Sequence, residues 1–382
     1  MTESSEKWLN KAETLGREVL GRHANSVDRQ GRWPAESIDA LRASGLLGLT
    51  VPAAYGGAGE GPRTFVSITR MLAEHCASTA MIYLMHTCAT QTIAASERLA
   101  LREELLRSIA AGRHVSTLAF SEKGSRSHFW APVSQAVHEG DDNRLSADKS
   151  FVTGAGRVDS YIVSARSPGA SDPMASTLYY FPKEAPGITV GEAWDGLGLR
   201  GNASAPMRLD RAQAPASHQL CDDGAGFSMM MSAALPLFQV GSAAVSIGIA
   251  RAATEGTRLH LLSTKFEHLG QTLASLPTLR ARLARMHIAV GVQQSFLEHV
   301  AGVMETPGST PLLALLESKA SAADAAAEVT DLAMRVCGGA AFGRRLTVER
   351  NFRDARAAAI MAPTTDVLHD FIAKTLLDMP LF

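Results

Sequence analysis

The residues of this chain best suited to chemistry concentrate in one run near its C-terminus, RVCGGAAFGRRLTVERNFRDARAAAIMAPTTDV, Arg335 to Val367. Five arginines (Arg344, Arg345, Arg350, Arg353, Arg356) fall within a short span. Guanidinium groups suit phosphate because their donors form a planar fork. The pair Gly338 and Gly339 lets backbone come close to a ligand. Pro363 to Asp366 spells a helix start, whose free N–H groups favour anions. The combination predicts a ligand that carries phosphates. Other chemistries find little support. No G-x-S-x-G elbow, H-E-x-x-H pair or paired cysteine motif occurs, so neither a serine hydrolase nor a zinc site is expected. GLGLRG, Gly196 to Gly201, has the spacing of a dinucleotide-binding loop. Its sequel, NASAPMRLDRAQAP, has no helical period, so the glycines read as turns. His86 lies in an apolar helical stretch and reads either as a core residue or as part of a ligand pocket.

The elements that must position these residues come in three blocks. Residues 1–114 read as helical, with Gly45 capping a helix over Ala35 to Ser44 and Pro52, Gly56 and Gly57 forcing a loop. Residues 115–225 carry short strand-like runs at Val115 to Phe120, Leu145 to Thr153, Tyr161 to Ala165, Thr177 to Phe181, Gly187 to Val190 and Met207 to Leu209. Such spacing predicts a small antiparallel β-domain rather than βαβ units. Residues 226–382 return to helix, including Pro311 to Cys337 with an Asp331–Arg335 pair. The fold class expected is α+β, mostly α, in the order helical, β, helical.

Composition limits the partners. The formal net charge is -1, so no whole-protein field attracts nucleic acid or an anionic membrane. The four cysteines have no metal spacing and read as reduced thiols, and the polar N-terminus shows no signal peptide, so a cytoplasmic protein is expected. Phe227 to Ala250 has no charged residue and is long enough to span a bilayer. Pro236, Gln239, Gly241, Gly248 and its serines dilute it, which predicts a helix buried in a bundle and no membrane span.

Six segments, in order, resemble the acyl-CoA dehydrogenase flavoproteins: LGLTVPAAYGGAG, TLAFSEKGSRSHF, SADKSFVTGA, WDGLGLRGNASA, GIARAATEG and RVCGGAAFGRRLTVERNFRDAR. The resemblance covers nearly the whole chain. It implies an α-β-α architecture holding FAD, as a homodimer or homotetramer. It implies that Phe120 and Ser121 meet the flavin pyrimidine and that Phe151 and Thr153 line another edge of the ring. Gly338 and Gly339 would let the backbone approach the cofactor of a neighbouring subunit, Phe266 and Arg335 would be further cofactor contacts, and Thr364 would lie near the FAD phosphates. Ser127 and Arg126 would face the phosphates of the thioester carrier, and Gln239 the substrate.

The departures from the family pattern are chemical. The family's glutamate in Y-E-G-T, which takes the substrate α-proton, corresponds to Ala362 within Met361-Ala362-Pro363-Thr364. The other family position for this base falls at Leu237 or Phe238, and neither is a base. Asp366 and His86 are the remaining candidates. Ser263 stands for the arginine of R-x-x-F-G, Pro277 for the next glutamine and Arg335 for the glutamine before the glycine pair. Lys123, Arg126 and His128 replace proline, glycine and aspartate in the signature after Phe120. The resemblance thus implies an FAD-dependent oxidoreductase of acyl-CoA or acyl-carrier-protein thioesters, with electron-transfer flavoprotein or oxygen as acceptor and a relocated base. The alternatives are a flavin monooxygenase on the same fold and a non-catalytic thioester- or flavin-binding protein.

Overall fold

The computed structural model describes residues 3–192, 195–306, 308 and 311–382. The chain runs as helices, then sheets, then helices. The first block holds α1 (Glu3–Leu15), α2 (Gly21–Gln30), α3 (Ala35–Ser44), α4 (Pro62–His75), α5 (Ala77–Ala94) and α6 (Arg102–Ala110). Gly45 ends α3 in the left-handed conformation that only glycine adopts cheaply. The break at Cys76 divides the apolar stretch into α4 and α5.

Seven strands follow: β1 (Ser116–Ala119), β2 (Ala136–Glu139), β3 (Asp142–Val152), β4 (Ser160–Arg166), β5 (Ser176–Pro182), β6 (Ile188–Val190) and β7 (Ala205–Ala214). They form two sheets, ordered β1-β4-β5 and β2-β3-β7-β6. The expectation of a purely antiparallel domain needs correcting, because β1 and β4 pair in parallel, Ser116 opposite Ser160. The burial patterns explain the sequence. β4 and β5 are buried almost throughout, as strands covered on both faces are. β3 largely alternates between buried and less buried positions, as a strand with one wet face does. β2, AVHE, is short and mostly exposed, and carries no apolar alternation that would reveal it.

The last block holds α7 (Gly226–Met229), α8 (Leu235–Ser263), the small hairpin β8 (Lys265–Phe266) and β9 (Gln271–Thr272), then α9 (Pro277–Met304), α10 (Leu312–Cys337), α11 (Gly339–Phe342), α12 (Thr347–Ala355), α13 (Ala357–Ile360) and α14 (Thr365–Leu376). The continuous helical run Gly226–Ser263, from α7 through α8, contains the apolar stretch. It is long and apolar enough to cross a membrane, yet most of that window is buried inside the fold. The glycines of α8 set the packing distance: a Cβ on Gly241 would stand 2.2 Å from Leu84 Cδ1, and one on Gly248 2.4 Å from Arg70 O. α8 therefore lies close against both α5 and α4.

Candidate active site between the β-domain and the C-terminal helices

The β-domain side is built on a buried ion pair. Lys149, on β3, is 1% exposed and Glu122, after β1, is 5% exposed. Lys149 Nζ donates to Glu122 Oε1 at 2.6 Å, to Ser164 O at 2.6 Å and to Phe120 O at 3.4 Å. Glu122 also accepts from Val133 N at 2.8 Å, Ser134 N at 2.7 Å and Ser134 Oγ at 2.5 Å. The pair ties β1, β3, β4 and the loop before β2 into one unit. Lys149 and these donors hold the Glu122 carboxyl below its usual range against the opposing effect of burial. Burial lowers the Lys149 pKa.

On that unit Phe120 is buried and stacks on Phe129, with ring centroids 6.3 Å apart. Ser121 O accepts from Ser150 N. Phe151 holds φ 54, a strained value for an aromatic residue, and is 63% exposed. Thr153 is buried, with its hydroxyl 3.5 Å from Ser204 Oγ. Arg126 is exposed at φ 57.

The β-domain meets the C-terminal helices at Ser127. Its Oγ accepts the Thr364 N–H at 3.0 Å, so it occupies one of the free donors at the start of α14. Thr364 caps its own helix, its Oγ1 accepting from Val367 N at 3.4 Å. Ala362, at the family's base position, lies two residues before this contact, and its methyl cannot take a proton. Trp130 packs on Phe371 and Phe382, with centroids 5.7 and 5.1 Å away, and closes the same junction.

The other expected residues are spread along the C-terminal block. Gly338 adopts φ 55 and ψ -137, a region essentially restricted to glycine, and a Cβ on it or on Gly339 would meet nothing within 4 Å. Such an open cradle suits close approach of a ligand. Arg335 pairs with Asp331 at 2.8 Å and leaves 65% of its side chain exposed. Phe266 sits in the β8–β9 hairpin. The Ser263 hydroxyl bonds back to Leu259 O at 2.9 Å. Gln239 is fully buried, and neither amide atom has a partner among the described residues. That is an expensive arrangement unless a ligand or water completes it.

Two expectations fail here. His86 cannot serve as a base, because both ring nitrogens are committed inside the core. Nδ1 accepts from Ser116 N at 3.2 Å and Nε2 faces Leu47 O at 3.1 Å, which fixes the proton on Nε2. Burial lowers its pKa to about 4. The arginine run is not one phosphate cluster. Arg350 bonds Asn25 Oδ1 and His75 O, and Arg353 binds Asp28, Glu349 and Leu197 O. Arg356 reaches Ala327 O and lies over the Phe352 ring. These three fasten α12 to its neighbours, while Arg344 and Arg345 are exposed. GLGLRG forms turns, as its sequel implied. Leu199 N donates to Asp354 Oδ1 at 2.7 Å, and a Cβ on Gly198 would stand 2.5 Å from Arg353 O. Trp194, which opens the WDGLGLRGNASA segment, lies outside the described residues.

Asp366 stands in the exposed first turn of α14, where a carboxylate complements the helix start. The buried acids near these elements are otherwise occupied: Glu122 by Lys149, Asp28 by Arg353, and Asp354 by Leu199 N. Burial raises the Asp354 pKa to about 6. Two buried lysines, Lys149 and Lys319, join the functional residues only through the structure. Each had a visible signal: Lys149 stands at a buried position of an alternating strand, and Lys319 is a lone cation in the alanine-rich run of α10.

Three family models match in succession: the acyl-CoA dehydrogenase N-terminal domain over residues 2–113, the middle domain over 117–212 and the C-terminal domain over 224–377. The chain belongs to the acyl-CoA dehydrogenase family. It is 26% identical over 378 residues to the cyclohex-1-ene-1-carbonyl-CoA dehydrogenase of Geobacter metallireducens, covering 99% of each chain. It is 26% identical over 360 residues to the acryloyl-CoA reductase (NADH) of Anaerotignum propionicum, covering 93% of this chain and 89% of that one. The solved butyryl-CoA dehydrogenase of Megasphaera elsdenii superposes with a TM-score of 0.93 at 23% identity, covering 99% of each chain. The expected helical, β, helical fold is borne out. Family membership brings the class of chemistry with it: the chain is an FAD-dependent oxidoreductase of acyl thioesters.

Proposed function

We propose that this enzyme interconverts a saturated and an α,β-unsaturated acyl thioester at the junction of the β-domain and α14. The observation that carries this reading is the Ser127–Thr364 contact, which docks the β-domain loop on the turn bearing position 362. Bound FAD would supply the hydride acceptor for the substrate β-carbon. The protein's own part is to hold the ring, orient the thioester and accept the α-proton. Ser121 and Thr153 would hydrogen-bond the flavin, with Phe120 and the exposed Phe151 ring packed beside it. Thr364 would meet its phosphates. Phe266, Arg335, Gly338 and Gly339 would serve the cofactor of a second copy, in a homodimer or homotetramer. The open backbone at both glycines supports that reading.

For the substrate, the Ser127 oxygen already accepts from Thr364, and its O–H remains to donate to a ligand. The exposed Arg126 beside it suits the phosphates of CoA or of a carrier protein. Gln239, buried with its amide unmet, would take a polar group of the acyl part. Asp366 is the proton acceptor of this proposal, because Ala362 offers none and His86 is committed to the core. The electron acceptor would be an electron-transfer flavoprotein or oxygen, and the compartment the cytoplasm, where four buried free thiols stay reduced.

Ala362 supports a second reading, a flavin monooxygenase, since oxygen activation needs no α-proton acceptor. The absorption spectrum of the purified protein tests the common ground. A flavin spectrum, or its recovery on adding FAD, supports the proposal. A colourless protein that cannot take up FAD contradicts it.

A further inference from the structure

α10 buries a cation that has no anion beside it among the described residues. Lys319 is fully buried, and its ammonium donates to Ala358 O and Met361 O, each at 3.1 Å, and to Pro363 O at 2.7 Å. Burial is the cause that lowers its pKa, to about 7. A buried ammonium satisfied only by carbonyls is costly, and methionine would fill nearly the same volume without charge. The three acceptors span the end of α13 and the turn that follows, and two of them flank Ala362. Beyond them the Thr364 N–H meets Ser127 Oγ at 3.0 Å. The turn is therefore held twice, by Lys319 from inside the C-terminal block and by Ser127 from the β-domain.

We infer that Lys319 is a positioning residue, which fixes the turn Met361–Thr364 so that the start of α14 stays docked on the Ser127 loop. It acts as a donor, through its protonated form. An ammonium has three protons and no lone pair, and here all three protons are in use. Lys319 also supplies donors at a helix end: the last carbonyls of the four-residue α13 lie beyond its own hydrogen bonding, apart from Ala357 O, which accepts from Met361 N. The consequence for ligand binding rests on the proposed function, whereas the docking itself does not.

The test uses the full-length, flavin-free protein and amide hydrogen exchange. In Lys319→Met, exchange at Thr364 and its neighbours through Val367 is expected to quicken at least tenfold, while the β-domain strands keep their rates. In Lys319→Met combined with Ser127→Ala, Thr364 should exchange little faster than in Lys319→Met alone, since one docking contact is lost in both. Unchanged exchange across residues 361–367 in a folded variant overturns the inference. So does an equal rise throughout the C-terminal helices, which marks general destabilisation. Should Lys319→Met not fold, Lys319→Gln keeps two N–H donors and is expected to give a smaller local increase; no increase overturns the inference. FAD affinity is measured separately and is expected to weaken at least tenfold in Lys319→Met. Local exchange that quickens with FAD affinity unchanged supports the positioning role and counts against the proposed flavin site.

Discussion

Replacing Lys149 with methionine tests how the β-domain wall is held. The change keeps the side-chain volume but removes the ammonium from Glu122, Ser164 O and Phe120 O. Breaking a buried pair from one side costs about 3–5 kcal/mol, because the remaining charge is stranded. Glu122 keeps its bonds from Val133 N, Ser134 N and Ser134 Oγ, so the lower end, about 3 kcal/mol, is expected at neutral pH. The sign of the pH dependence follows. In wild type the Glu122 pKa lies below its usual range; without Lys149, burial raises it above the unfolded value. A raised carboxyl contributes stability that is present at low pH and lost as pH rises through the folded pKa. The variant's deficit should therefore be larger at pH 8 than at pH 5. Urea unfolding at both pH values measures it, and the double variant Lys149→Met, Glu122→Gln should recover part of the loss. A deficit below about 0.5 kcal/mol, or one independent of pH, would refute the reasoning.

Other perturbations probe the junction. His86 is neutral in the fold, with its pKa lowered to about 4 against an unfolded value of about 6.5. Its stabilising contribution is thus complete above the unfolded pKa and lost as pH falls from about 6.5 to 4, by about 3 kcal/mol. His86→Gln, which can also donate and accept, should flatten that part of the stability profile in thermal unfolding. Gln239→Leu removes two unmet buried polar atoms and should stabilise the unliganded protein by about 1–2 kcal/mol, while weakening binding of polar acyl thioesters in calorimetry. Ala362→Glu places a carboxylate at the family's base position and is expected to speed flavin reduction by an acyl-CoA at least tenfold. Asp366→Asn should slow the same half-reaction at least tenfold, measured by stopped flow, and an unchanged rate removes Asp366 as the proton acceptor.

The three-block architecture was legible because period and punctuation agree within each block. Gly45 and Cys76 stop helices where the pattern changes, and β4 and β5 read as continuous apolar runs because both their faces are covered. The parallel pairing of β1 with β4 was not legible, since strand direction depends on the intervening path rather than on local sequence. At the site, the motif positions were readable but the commitments of side chains were not. His86 looked available because sequence cannot show Ser116 N and Leu47 O arriving from other segments. The arginine run looked like a phosphate cluster because its partners, Asn25 and Asp28, lie more than three hundred positions away in the chain. Lys319 stands out as a cation in an alanine-rich run, but what it holds does not, because its acceptors are backbone carbonyls of a distant turn.

The central claim is that this family member still forms or reduces the α,β double bond of an acyl thioester although position 362 is alanine. Anaerobic mixing of the flavin-loaded protein with a panel of acyl-CoA and acyl-carrier-protein thioesters tests it most directly. The account predicts loss of the oxidised flavin absorbance with at least one saturated thioester, together with the matching α,β-unsaturated product. Flavin that stays oxidised with every thioester, yet is reduced by an external reductase and then gives an oxygenated product in air, would contradict it.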